Sequence, residues 1–287
     1  MRKKVAISLS VVAVAALYKG ALWNFSSQSK KQIEQQLAKV PDAEPQKVTE
    51  EMLEQLPAPV QKWLANAGIV GKDQIRTIFL RQTGWMRLKP EQQEWTKAEA
   101  EQTITTDPPS FTWTVKMNML PFIQIVGRDS FEAGKAELLI KAAGLFPVAR
   151  EADNDKTDQS ALQRYLMEVS WYPTAAISPY IKWEEIDGNT AKATMDYQGV
   201  SGSATYHFKE DGELEKIIAL RYKDSSPEAP LVPCVAEIKE HHSAGGIKVP
   251  SKVEITWQLE EGDFTWYKFE VHAAEFDPIQ AVKNTPL

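Results

Sequence analysis

The sequence predicts a mainly β protein of the α+β class: a large curved antiparallel sheet or half-barrel, crossed by one amphipathic helix and preceded by short N-terminal helices. Three observations carry this expectation. Apolar and polar side chains alternate over long stretches, turn residues separate neighbouring stretches, and one segment between two such runs switches to a helical period.

The clearest alternation is Phe111, Trp113, Val115, Met117 and Met119 against Thr112, Thr114, Lys116 and Asn118, which reads as a strand with one buried face. It returns at Ala191, Ala193, Met195 and Tyr197, and again at Val253, Ile255, Trp257 and Leu259. Glu210-Asp211-Gly212 separates the strand candidates Ser203–Lys209 and Leu214–Tyr222, and Glu260-Glu261-Gly262-Asp263 separates Lys252–Leu259 from Phe264–His272, so both pairs are expected to form antiparallel hairpins. In all, about ten to thirteen strands fall into two runs, Ile75–Lys141 and Ile181–Phe276.

Between the runs, Leu162, Tyr165, Leu166 and Val169 recur at helical spacing, which predicts a helix over Asp158–Trp171, capped by Thr157 or Asp158 and ended before Pro173. Two short helices are expected earlier, one with Met52, Leu53 and Leu56 inward and one with Val60, Trp63, Leu64 and Ile69, separated by Pro57 and Pro59 and stopped near Gly68.

The N-terminus reads as an address. Arg2-Lys3-Lys4 precede an apolar run from Val5 to Tyr18, and Ala13-Val14-Ala15 offers a small-x-small cleavage site with no cysteine after it to take a lipid. Fourteen helical residues rise only about 21 Å against about 30 Å of hydrocarbon, whereas extension through Trp23 reaches about 28 Å. Residues 1–25 are therefore expected to be a signal peptide or an N-terminal membrane anchor, residues 26–48 a polar tether with helix around Lys31 to Lys39, and residues 49–287 a single β-rich domain outside the cytoplasm.

Composition excludes several functions. Of 287 residues one is Cys and four are His, too few and too scattered for a zinc, haem or thiol-redox site. The formal charge is −6, and residues 1–33 hold basic but no acidic residues, so the remainder is markedly acidic and repels phosphate backbones; no nucleic acid is expected as partner. Neither a G-x-S-x-G elbow nor a glycine-rich phosphate loop occurs. His241 and His242 are adjacent on a strand candidate and point to opposite faces, so they cannot share one metal. Glu184-Glu185 with Asp187, and Arg128-Asp129, read as surface charges. No catalytic residue, cofactor or metal is assigned; a hydrolase would require His242, Glu184 or Asp187 to converge in one cleft.

Nine tryptophans, six of them in strand candidates, are the less ordinary feature. Core packing accounts for most, yet a curved sheet with a helix laid across it can keep an apolar hollow. The expected function is a cell-envelope protein binding a lipid or other apolar small molecule there, with Trp113, Tyr165 and Trp257 as wall residues and the membrane met through the N-terminal segment. An envelope interaction or assembly protein without a ligand is the alternative.

Several strings recur in one order: Leu56-Pro57-x-Pro59-Val60, Thr106-Asp107-Pro108-Pro109-x-Phe111-x-Trp113, Arg128-Asp129-Ser130-Phe131, Gly144-Leu145-Phe146-Pro147-Val148, Arg164-Tyr165-Leu166, Trp171-Tyr172-Pro173-Thr174, and Val249-Pro250 before Glu254-x-x-Trp257. In combination they resemble an uncharacterised bacterial family carrying a domain of unknown function, over about Leu56 to Phe276. The resemblance implies no catalytic residues. Cys234 follows Pro233 where such proteins usually have an aromatic. In architecture the helix-crossed sheet is similar to the half-barrel of the periplasmic lipoprotein carriers, which implies apolar-ligand binding by fold analogy alone.

Overall fold

The computed structural model describes the backbone of residues 2–120 and 123–278, and the side chains of residues 13–119 and 123–278. Thirteen strands form one antiparallel sheet. The first run comprises β1 (Thr77–Met86), β2 (Thr96–Thr106), β3 (Pro109–Leu120), β4 (Ile123–Glu132), β5 (Lys135–Ala142) and β6 (Phe146–Ala152). The second comprises β7 (Ile181–Asp187), β8 (Thr190–Tyr197), β9 (Val200–Phe208), β10 (Leu214–Tyr222), β11 (Leu231–Ala244), β12 (Ile247–Leu259) and β13 (Gly262–Phe276). Both expected hairpins form, as β9–β10 and β12–β13.

The strand order runs from β6 inward to β1, then from β13 outward to β7. Each half is a meander, and β1 pairs with β13 to join them. The chain therefore leaves one edge at β6 and must reach the other edge at β7. It does so through a helix and two 3₁₀ turns, Val169–Trp171 and Pro173–Ile177.

Among the described residues there are four α-helices: α1 (Arg2–Leu37), α2 (Glu50–Glu54), α3 (Ala58–Ala67) and α4 (Asp155–Glu168). Helix α3 stops at Gly68, whose φ of 75° suits a residue without Cβ. Its Trp63 packs 5.5 Å from Tyr206 and 5.8 Å from Phe208, so α3 plugs the side of the sheet formed by β7 to β9.

One expectation is corrected. The cap of α4 is Asn154, whose side chain accepts from the backbone N–H of Lys156 and Thr157. Asp158, expected as a cap, is instead buried and accepts from the Ala136 N–H and the Lys135 ammonium, both at 2.8 Å, which fastens the helix to the start of β5. In the segment read as a tether with helix around Lys31 to Lys39, helix α1 runs on through residues 26–37. Phe25, Ser29, Ile33 and Gln36 recur along one side of this helix and are buried against the convex face of the sheet. Phe25 packs with Val126 and Leu139, while Gln36 donates to the Thr103 carbonyl at 3.2 Å and accepts from the Thr112 hydroxyl at 2.8 Å. Two of the polar alternates of β3, Thr112 and Thr114, are therefore buried rather than in water, whereas Asn118 stays exposed.

Candidate functional site

Opposite α1, helix α4 crosses the concave face and divides it. One side of the helix is packed solid. Leu162, Tyr165, Leu166 and Val169 are buried there, and hydrogen bonds lock the layer: Tyr165 Oη donates to the Thr105 carbonyl, Tyr172 Oη to the Tyr165 carbonyl and Tyr206 Oη to the Leu166 carbonyl. Burial raises all three phenol pKa values, so these hydroxyls stay protonated donors. At Gly202 of β9 an added Cβ would lie 2.5 Å from Gln163 Cγ, so only glycine lets the helix approach this closely.

The other side of α4 faces a cavity of about 330 Å³. That is the lower end of the range of small-molecule sites, about 300–1,000 Å³. Its wall comes from both meanders, with Trp113, Val115 and Met117 of β3, Ile125 of β4, Leu138 and Ile140 of β5, and Ile238, Ile255, Trp257 and Phe269 from the second half. Gly127 belongs to the same wall; a Cβ there would lie 2.9 Å from Val115 Cγ1, so its absence keeps the sheet side close-fitting.

A bulge contributes too. Ile255 is opposite Tyr267 but Thr256 is opposite Thr265, which leaves Trp266 as an extra residue in β13. Consecutive strand residues ordinarily face opposite ways, yet Trp266 and Tyr267 both line the cavity. Trp113 Nε1 and Tyr267 Oη both reach Gln82 Oε1, at 3.5 and 3.4 Å, and Trp171 Nε1 donates to the Pro250 carbonyl at 2.9 Å. The buried Trp266 Nε1 has no hydrogen-bond partner among the described residues.

Residues 54–276 match the model of a family described as "Family of unknown function (DUF6920)". The chain belongs to that family. No curated protein matches the sequence. Among solved structures, the DUF6920 chain is similar to a LolA superfamily protein from Nitrosomonas europaea, at 9% identity and a TM-score of 0.36, covering 75% of this chain and 92% of that one. A dehydratase domain from the CurF module of curacin polyketide synthase is a fainter likeness, at 8% identity and a TM-score of 0.16, covering 75% of this chain and 80% of that one.

In this DUF6920 chain the helix side of the cavity is mostly polar, with Ala161 and Met167 as its apolar members. Thr157, Ser160, Ala161, Arg164 and Glu168 line it along one stripe of α4. Arg164 donates to Asp129 of β4 at 2.6 Å and to Glu168 at 2.8 Å, and its guanidinium lies between the rings of Phe111 and Trp113 at 4.9 and 5.1 Å. Glu168 also accepts from Gln102 at 2.6 Å. Asp129 is therefore a half-buried ion-pair partner rather than the surface charge expected, and its neighbour Arg128 is buried on the other face, 3.3 Å from Glu137.

Two of the three residues chosen from sequence, Trp113 and Trp257, border the cavity. Tyr165 does not; it lies in the packed layer on the opposite side of α4. His242 stands on β11 and Glu184 and Asp187 on edge strand β7, four places away in the sheet, and none of them borders the cavity. They form no common cleft. Among the described residues no group of three His, Cys, Asp or Glu side chains could hold a metal. Cys234 is in the wall, but burial pushes its thiol pKa up, which keeps it a neutral apolar contact.

Proposed function

We propose that this protein is a non-enzymatic binding protein that takes a lipid or other apolar molecule into the hollow between α4 and the sheet. The observation that supports this is the cavity itself. Tryptophans, branched aliphatic residues and methionines wall it on the sheet side, and polar and charged groups line it along α4 and around the end of β10 and the start of the loop that follows. Binding in such a site comes from apolar surface removed from water, at about 25 cal/mol per Å², with the polar stripe setting orientation.

The envelope location is part of the same proposal and rests on the N-terminal sequence. Tyr18 Oη accepts from the Gln124 N–H, and Gly144 packs against the Ala21–Leu22 backbone, so α1 is docked on the body from about residue 18 onward. The apolar run of the sequence ahead of it, Val5–Leu17, corresponds to about 20 Å of helix against about 30 Å of hydrocarbon. Among the described residues no helix is long and apolar enough to cross a membrane. The basic triad and the run up to Val12 lie outside the residues whose side chains are described. The reading assigns this stretch to export, or to anchoring at the membrane surface, where exposed Val14, Leu17 and Trp23 together with Leu145 and Phe146 of the β5–β6 turn give an apolar rim. N-terminal sequencing of the mature chain separates the two: a start just after Ala15 means export with cleavage, and an intact start in the membrane fraction means anchoring.

Titration with a fluorescent fatty-acid probe tests the binding reading. Saturable binding of one probe per chain is expected, weakened when Ala236, a small residue in the wall, is replaced as Ala236→Trp. Absence of saturable binding by the folded wild-type chain contradicts it.

A further inference from the structure

The charged groups around the cavity are unequally employed. Its lining includes Lys156, Arg164, Arg221 and Lys223 as cations and Asp129, Glu151, Glu168 and Asp224 as carboxylates. Two of the four carboxylates are paired with a cation, and the other two accept hydrogen bonds from neutral donors. Asp129 and Glu168 hold Arg164, Glu151 accepts from the Ser225 hydroxyl, and Asp224 accepts from the Ser226 N–H and hydroxyl. Lys156 is engaged as well, donating to the carbonyls of Ser226, Pro227 and Ala229 at 2.8, 2.7 and 3.1 Å.

Arg221, at the end of β10, is different. Its Nε donates to the Ser160 carbonyl at 3.1 Å, its Nη1 reaches Cys234 Sγ at 3.6 Å, and its guanidinium stands 5.6 Å from the Trp257 ring centre. These contacts fix the group in place without neutralising it. No carboxylate among the described residues forms an ion pair with it, although it is half-buried beside an apolar wall. A guanidinium has five N–H donors in a rigid fork suited to an oxyanion, and its charge persists at every physiological pH. Lys223 follows two residues later, exposed and also on the cavity's border, with the Asp224 carboxylate beside it.

We infer that Arg221 anchors the head of an anionic amphiphile: a single apolar chain ending in a carboxylate or phosphate, its tail lying along Trp257 and the β3–β5 wall. This rests on the reading of the cavity as a site for an apolar chain, and it adds the charge of the ligand. Arg164 is unsuited to the role because its two carboxylates already saturate it.

The test is displacement of a neutral fluorescent probe, N-phenyl-1-naphthylamine, from the full chain by dodecanoate, dodecyl phosphate and dodecanol, each below its micellar concentration. Wild type is expected to bind dodecanoate or dodecyl phosphate at least tenfold more tightly than dodecanol; whichever anion is the tighter identifies the head group. In Arg221→Gln the anions should fall to the level of dodecanol while dodecanol itself is unchanged, and Arg221→Lys should keep part of the preference. Equal binding of anions and dodecanol by wild type overturns the inference and leaves the cavity reading standing, as does an anion preference that survives Arg221→Gln. Failure of wild type to bind the probe or any of the three chains overturns both.

Discussion

Arg164 Nη1 of helix α4 lies 2.6 Å from Asp129 Oδ2 of strand β4, and this contact ties the crossing helix to the first meander beside the Trp113 ring. The pair is largely shielded from water, and Glu168 completes it on the helix side. Removing the cation leaves two neighbouring carboxylates without compensation in a poorly solvated place. Arg164→Met should therefore destabilise the fold by about 3 kcal/mol at neutral pH, whereas Asp129→Asn, which leaves Arg164 its Glu168 partner, should cost less. Urea denaturation of both variants checks the order; an Arg164→Met protein as stable as wild type would show that the pair does not hold the helix.

The start of α4 carries two separable contributions. Asn154→Ala removes the acceptor for the first helical N–H groups and should cost about 1 kcal/mol. Asp158→Ala strands the buried Ala136 N–H and should cost about 1–3 kcal/mol. Because the two residues belong to one helix terminus, the double variant should depart from the sum of the single ones, and chemical denaturation of all three proteins measures by how much.

Acid should weaken the protein in a defined window. Hydrogen bonds from Lys209 and then Lys248 bring the Glu213 carboxyl down from 4.5 to about 2, against a smaller opposing effect of burial. A carboxyl depressed in the folded state contributes stability above its unfolded value, and that contribution disappears as pH falls through the folded one. The Glu213 contribution should thus be complete above about pH 4.5 and gone near pH 2. Urea midpoints of wild type and Glu213→Gln, measured from pH 6 to pH 2, should differ at the upper end and converge at the lower.

Helix α1 is fixed to the sheet by few apolar contacts and by Gln36. Gln36→Leu keeps the volume but leaves the Thr112 hydroxyl and the Thr103 carbonyl without their side-chain partner. Amide exchange over residues 26–37 should accelerate in this variant, with β1 and β13 unaffected; unchanged exchange in the helix would mean that Phe25 and Ile33 suffice.

Much of the architecture can be read directly from residues. Alternation at 111–119 and 253–259 marks strands because the side-chain period of a strand is two, although α1 also covers the Thr112 face of the first, and Gly212 and Gly262 mark the hairpin turns. Helix α4 is visible through Leu162, Tyr165, Leu166 and Val169. That same stripe misplaces the site: apolar residues of a crossing helix point where packing is complete, so Tyr165 belongs to the solid layer and the hollow lies under the polar stripe with Arg164. Helix α1 escapes a hydropathy reading because its sheet-facing positions include Ser29 and Gln36. Trp266 escapes for a different reason, since a bulge breaks the alternation on which facing is inferred. The unpaired state of Arg221 depends on which carboxylates the fold brings near, and linear spacing carries no record of that.

Native mass spectrometry of the full chain after incubation with a mixed lipid extract tests the central claim most directly. The account predicts one lipid-sized adduct per chain, removed when Ala236→Trp fills the hollow. Spectra showing only the bare chain, or an adduct that survives Ala236→Trp undiminished, would contradict it.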